Sequence, residues 1–322
     1  MTRAVLIDCD PGIDDMMALL TACASPELEL RGVTTVGGNV GIERTTRNAR
    51  SVLALAGRGD VPVAAGAKRS LVRAVARHDS AHGDDGLGGI ELPVPDGRPD
   101  RRPAAEFLAA AVEASTEPVA LFAVGPLTNV ALFYATYPDI AATLDRLVVM
   151  GGSIGPGNIT PAAEFNVWFD PEAAYRVLAE PDVAVPTTLV PLDVTRRTGL
   201  GEADLARLAA AGPIGGYAAR ALGGYRHGAG PAIPVHDAVA VLSVMHPELM
   251  TVRRATVQVE TGLGPGRGAT LVDLRPEAAP AEGVDATPVD VGVVPTVDVV
   301  VDADSRAVVE ALLDRVTRLD RR

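Results

Sequence analysis

Four carboxylates fall within eight residues, Asp8-Cys9-Asp10-Pro11-Gly12-Ile13-Asp14-Asp15, directly after the apolar run Ala4-Val5-Leu6-Ile7. The run is apolar and β-branched and reads as a buried strand. Pro11 and Gly12 end it with a turn, and Asp14 and Asp15 open an apolar helix, Met16 to Ala22. Residues two apart on a strand share a face, so Asp8 and Asp10 point the same way. Four negative charges crowded at one strand end repel one another, and a helix N-terminus offsets only about half a charge. A hard cation with oxygen ligands is the simplest counter-charge. Helix capping and first-turn acids account for Asp14 and Asp15 but leave Asp8 and Asp10 unexplained.

The chain downstream alternates strands with helices. Strands are expected at Leu28–Val36, Val61–Ala65, Val119–Val124, Leu147–Met150 and Val183–Val190. Helices are expected at Arg44–Ala56, Ala104–Ala114, Glu202–Ala211, Ile214–Leu222 and from Val235 to Leu242, with a closing helix at Ala303–Leu319. This order implies an α/β fold, a mostly parallel central sheet with helices on both faces and a Rossmann-like core. The stretch Met250 to Val301, rich in Val, Thr, Gly and Pro, reads as a small β-rich C-terminal addition of short antiparallel strands. No linker or repeat interrupts residues 1–322, so a single domain is expected.

In such sheets ligands gather beyond the carboxyl ends of the strands. Asp8, Asp10 and Asn39 lie there, Asn39 after the turn Gly37-Gly38. His82 opens a loop with two acids and four glycines, His82 to Gly89, which reads as a lid rather than a plain solvated loop. Asn129 follows Gly125-Pro126-Leu127-Thr128 and is expected to cap the next helix, while the turn's carbonyls are free to face a cation. Asn158, Glu164 and Asn166 stand on an irregular segment after Met150-Gly151-Gly152. Amide and acid groups there suit a polyhydroxyl ligand, which needs both donors and acceptors. Asp170-Pro171 is a helix start, Asp as N-cap and Pro at N1. Trp168 suits either core or pocket. Tyr225 and His227 fall in a Gly-rich loop, and His236-Asp237 open an apolar helix.

Composition narrows the partners. The net charge is -12, from 41 acids against 29 bases, with Lys68 the only lysine. Nucleic acid is excluded as an expected partner, because phosphate binding needs basic patches. The longest apolar runs are too short for a membrane span, and no leader suggests export. Two cysteines, Cys9 and Cys23, look like thiols of a cytoplasmic protein.

Five segments in order resemble the inosine-uridine preferring nucleoside hydrolase family. They are Asp8 to Asp15, Thr34-Thr35-Val36-Gly37-Gly38-Asn39, and Val124-Gly125-Pro126-Leu127-Thr128-Asn129. The fourth block joins Met150-Gly151-Gly152, Asn158, Ala163-Glu164-Phe165-Asn166 and Asp170-Pro171-Glu172-Ala173, and the fifth is Val235-His236-Asp237. The resemblance covers nearly the whole chain. It implies Ca²⁺-dependent hydrolysis of ribonucleosides to ribose and free base, by a homodimer or homotetramer. Asp10, Asp15, Asp237 and the Val124 carbonyl would hold the Ca²⁺. Asp14, Asn39 and Asn166 would hold the ribose 2′ and 3′ hydroxyls, Asn158 and Glu164 the 5′-hydroxyl, with Met150 near the sugar. Asp10 would take a proton from the metal-held water, and His236 would protonate the leaving base, assisted by His82 and Tyr225. Asp8 would orient the acidic loop from behind. Having both histidines implies a substrate among inosine, uridine and cytidine, and an aromatic content of 3% agrees.

Three other readings are weaker. A phosphatase of the haloacid dehalogenase type also starts with a strand and Asp-x-Asp, but needs a downstream lysine that the context of Lys68 does not supply. A twelve-residue EF-hand loop from Asp8 would need an acid at position 19, which is Leu19. A non-catalytic ribose- or Ca²⁺-binding protein on the same fold would be signalled by loss of Asp10 or His236, and both are present. Hydrolysis of a modified nucleoside stays open, since the ribose half of the site is better specified than the base half.

Overall fold

The computed structural model describes residues 2–73, 81–179, 183–225, 232–275 and 296–321. His227 and the rest of positions 226–231, in the Gly-rich loop expected after Tyr225, lie outside the described residues. The strands are β1 (Arg3–Cys9), β2 (Leu28–Thr35), β3 (Val63–Ala65), β4 (Val119–Ala123), β5 (Arg146–Met150) and β6 (Thr187–Val190). They continue as β7 (Gly199–Leu200), β8 (Ile233–Pro234), β9 (Met250–Val259), β10 (Thr270–Val272) and β11 (Thr296–Ala303). Nine of these form one sheet in the order β10-β9-β11-β6-β5-β4-β1-β2-β3, while β7 and β8 pair separately. β1 to β6 run parallel.

The chain winds outward from β1 through β2 to β3, then returns to lay β4 on the other side of β1. The direction of winding reverses between β1 and β4. At such a switch point the loops leaving the two strands diverge and open a crevice. The residues following β1 and β4, Asp10 and Val124, therefore stand at its mouth.

Alternation along each strand feeds two cores. Val5, Ile7 and Cys9 face one with Phe122 and Val148, packed by the helices Ile13–Ala24, His236–Met245 and Ser305–Leu319. Ala4 and Leu6 face the other with Leu121 and Val149, under the helices Ala104–Glu113, Thr128–Thr136 and Pro171–Leu178. Both faces of the central strands are buried, which explains their near-continuous apolar character.

Three expectations change. The strand expected from Val183 begins at Thr187, because Pro186 has no N–H to give to a ladder. The C-terminal strands extend the central sheet: β11 is parallel to β6 and antiparallel to β9. Asn129 is not a cap. It sits inside the helix Thr128–Thr136, and its Nδ2 donates to Asp8 Oδ1 at 2.8 Å and to the Thr35 carbonyl at 2.9 Å. Its Oδ1 accepts the Ala67 N–H at 2.9 Å. One side chain thus ties β1, the end of β2 and the loop after β3 behind the crevice. Asn129→Ala removes these three hydrogen bonds and should cost about 3 kcal/mol, measured as a shift of the urea midpoint at unchanged slope.

Candidate active site

Asp8 is fully buried on β1. Its Oδ1 accepts the Thr34 hydroxyl at 2.5 Å as well as Asn129 Nδ2, and its Oδ2 is buried without a hydrogen-bond partner among the described residues. Burial pushes its carboxyl up to about 7, against which those two hydrogen bonds work. Asp8 is thus a brace facing the Asn129 side, as its expected supporting place requires.

Past the strand end the carboxylates turn inward. Asp15 Oδ1 accepts the Asp10 N–H at 3.0 Å, and its Oδ2 accepts the Gly12 N–H at 2.8 Å. Asp10 Oδ2 accepts the Asn39 N–H at 2.6 Å. Asn39 Nδ2 donates back to the Asp10 carbonyl at 3.2 Å and to Asp15 Oδ2 at 3.3 Å. The turn after β1, the helix Ile13–Ala24 and the loop after β2 are locked through these acids. Two glycines press on Asp10: a Cβ at Gly38 would stand 2.1 Å from Oδ2, and one at Gly125 2.6 Å from Oδ1. Neither position has room for a side chain unless the carboxylate moves.

Asp237 comes from the start of the helix His236–Met245. Asp14, Asp15 and Asp237 each offer an oxygen, and these oxygens lie within 4.8 Å of one another. Asp14 therefore joins Asp15 and Asp237 in the close group, while Asp10 turns toward Asn39 and the two glycines. On the far side, Asn166 Nδ2 donates to the Val124 carbonyl at 3.0 Å and to the Met150 carbonyl at 3.1 Å. The ends of β4 and β5 are thereby drawn to the same crevice.

Burial raises every acid here. Asp14 is pushed up to about 6 and Asp15 to about 7, Asp15 further by the charge of Asp14. Asp10 and Asp237 are held well above the carboxylate range by burial first, then by neighbouring acids. Like charges 4 Å apart repel by about 4 kcal/mol at an effective dielectric constant of about 20. Among the described residues no Arg or Lys forms an ion pair with these four. A cradle of carboxylate and carbonyl oxygens lacking a cationic side chain fits a hard divalent cation.

The other sequence candidates divide. Glu164 is buried, and burial pushes it up to about 7. It caps the helix Phe165–Phe169, accepting the N–H groups of Gly152 at 2.9 Å, Asn166 at 2.9 Å and Val167 at 3.3 Å. Asn158 is exposed, and its Oδ1 accepts the Phe165 N–H at 2.9 Å. Asp170 caps the next helix as expected. Trp168 is half-buried, 6.2 Å from the Phe165 ring.

His82 is buried, not solvated. Its Nδ1 accepts the Ile13 N–H at 3.0 Å, which leaves the proton on Nε2. The same Nδ1 lies 3.7 Å from Asp14 Oδ1. Tyr225 stacks on His82, with ring centroids 4.8 Å apart at 25°. His236 Nδ1 lies 2.7 Å from the Thr195 hydroxyl. Sequence reading did not find Thr34 or Thr195, since a threonine 26 or 41 residues from its partner leaves no local pattern.

The fold that carries this crevice is similar to those of solved nucleoside hydrolases. A plant nucleoside hydrolase, PpNRh1, superposes with a TM-score of 0.88 at 33% identity, covering 98% of this chain and 99% of that one. A purine-preferring ribonucleoside hydrolase from Gardnerella vaginalis superposes with a TM-score of 0.85 at 27% identity, covering 99% of both. The sequence profile of the inosine-uridine preferring nucleoside hydrolase family matches residues 5–310, and the chain belongs to that family. It is a nucleoside hydrolase, an N-glycosidase. It is also 40% identical to the pyrimidine-specific ribonucleoside hydrolase RihA of Photobacterium profundum over 280 residues, 85% of this chain and 89% of that protein. No helix of the described residues is long and apolar enough to cross a membrane.

The raised carboxyls carry a sign. Unfolded, Asp14 and Asp15 titrate near 3.8; folded, they titrate at about 6 and about 7. Between those values the cation-free folded state keeps protons that the unfolded state has released, so stability falls as pH rises through that window. A bound divalent cation needs the ionised carboxylates. Calcium added over a chelated sample should therefore raise Tm more at pH 8 than at pH 5; equal gains by calorimetry would contradict this.

Proposed function

We propose that the protein hydrolyses the N-glycosidic bond of pyrimidine ribonucleosides, uridine and cytidine ahead of purine nucleosides, with Ca²⁺ as its resident cation. The observation that carries the reading is the buried oxygen cluster of Asp14, Asp15 and Asp237, with the buried Asp10 held beside it by Asp15 and a histidine at either side, His82 beside Asp14 and His236 next to Asp237. The pyrimidine-specific name of the 40% identical relative supports the base preference.

Asp10, Asp15, Asp237 and the Val124 carbonyl are the ligands of this reading, with Asp14 close enough to join them. When bound, the cation supplies positive charge against the carboxylates and lowers the pKa of a water it holds. Asp10 accepts that water's proton. Asn39 and Asn166 spend their amide N–H groups on the protein, which turns the amide oxygens to the 2′ and 3′ hydroxyls beside Asp14. Asn158 and Glu164 take the 5′-hydroxyl, and Met150 packs near the sugar. As the bond to C1′ lengthens, the ribose gains positive charge, and the surrounding carboxylates stabilise it. His236 protonates the departing base, with His82 and Tyr225 on the base side. This division differs from a paired-carboxylate glycosidase, in which a second acid does the work of a base. The reading also carries a single cytoplasmic domain assembled as a homodimer or homotetramer, which light scattering measures.

Two experiments test it. A panel of uridine, cytidine, inosine and adenosine should show kcat/KM for the two pyrimidines at least about tenfold above the purines, about 1.4 kcal/mol of transition-state preference; purine turnover far above uridine would reject the assignment. His236→Ala should cost about 100-fold or more in kcat on uridine and little on p-nitrophenyl riboside, whose leaving group needs no proton. Equal losses on both would remove His236 as the acid.

A further inference from the structure

Thr195 touches no substrate in the mechanism above, yet its hydroxyl lies 2.7 Å from His236 Nδ1, and both residues are buried. It ends the one-turn helix Leu192–Thr195, which follows β6, the strand between β5 and β11 in the sheet that carries the site. The same turn grips the segment after β5. Asp193 accepts the N–H groups of Ile154 at 2.6 Å and Gly155 at 2.9 Å, and Arg196 donates to the carbonyls of Pro156 and Gly157.

We propose that Thr195 is a positioning residue for leaving-base protonation, pinning the Nδ1 edge of His236 so that Nε2 is the nitrogen presented to the base. The inference rests on His236 being the acid. A hydroxyl both donates and accepts. With Nδ1–H donated to Thr195, the hydroxyl's own hydrogen turns to the Leu192 carbonyl, 3.5 Å away. The ring keeps its place through the step. The C1′–N bond breaks and its electron pair stays with the base, the base nitrogen takes the Nε2 proton, and His236 is left neutral with Nδ1–H still held by Thr195. Water supplies hydroxide to C1′, and its proton passes to Asp10. A ring free to turn about its side-chain torsions would present Nε2 only part of the time. Orientation of that kind is worth orders of magnitude in rate.

The test compares leaving groups. Thr195→Val removes the hydroxyl at nearly constant shape and should lower kcat on uridine by about 10- to 100-fold. KM on uridine and kcat on p-nitrophenyl riboside should stay within about twofold, and Thr195→Ser should restore most of the uridine rate. Thr195→Ala gives the same ratio of substrates if the valine variant does not fold. Asp193→Asn is the contrast. It loosens the 154–155 backbone and not the imidazole, so its effect should fall on both substrates alike. If Thr195→Val loses equally on both substrates, or serine restores nothing, the threonine is merely structural and the proposal fails. His236→Ala, run in parallel, separates the two readings. A leaving-group-dependent loss in His236→Ala without one in Thr195→Val overturns only the threonine's role, whereas no such loss in His236→Ala overturns the acid assignment and this inference with it.

Discussion

The repulsion among Asp10, Asp14, Asp15 and Asp237 has to be opposed by the fold before any ligand arrives, and much of the opposition is backbone. Asp15 collects the N–H groups of Asp10 and Gly12, and Asp10 collects that of Asn39. Hydrogen bonds to ionised acceptors are about twice as strong as neutral ones, so each contact that quiets a charge also fixes a loop. Acid and loop are mutually dependent: without the turn the carboxylates have no donors, and without the carboxylates the turn has no reason to close.

That local arrangement works only inside a much larger one. The Val124 carbonyl, Asn166 and Asp237 arrive from segments more than a hundred residues downstream of Asp15. They meet because β4 returns to lie beside β1 and because two cores clamp the sheet from opposite faces. Behind the crevice Asn129 and Thr34 hold Asp8. In front the turn Leu192–Thr195 holds both His236 and the segment that leads to Glu164. The acids form the inner layer, and neutral polar side chains and main chain hold them in place.

The inner layer was legible in the sequence and the outer one largely was not. Asp8, Asp10, Asp14 and Asp15 announce themselves because they break an apolar run at a strand end, and the parallel sheet follows from strict alternation of strand and helix. Asn129 reads as a cap because an Asn near a helix start has a local use, and only the third dimension shows Asp8 beside it. Glu164 reads as a sugar ligand from its neighbours, and what the structure shows is a helix cap with three backbone donors. Thr195 carries no pattern at all. The C-terminal strands read as an addition because antiparallel pairs have local signatures, while the parallel pairing of β11 with β6, across more than a hundred residues, has none.

Gly38 and Gly125 flank Asp10 so closely that any side chain there would displace the carboxylate before it met a ligand. This side of the crevice is therefore closed to gradual change: its shape is set by atoms that are absent, and the smallest enlargement already moves the carboxylate. The His82 side has a limit of its own, since a Cβ at Gly12 would stand 2.7 Å from His82 Nδ1. His82 in turn accepts the Ile13 N–H and stacks on Tyr225 across two loops. With glycines backing both the acid and the ring, neither side of the crevice has slack, and a change of its shape has to come through those side chains themselves.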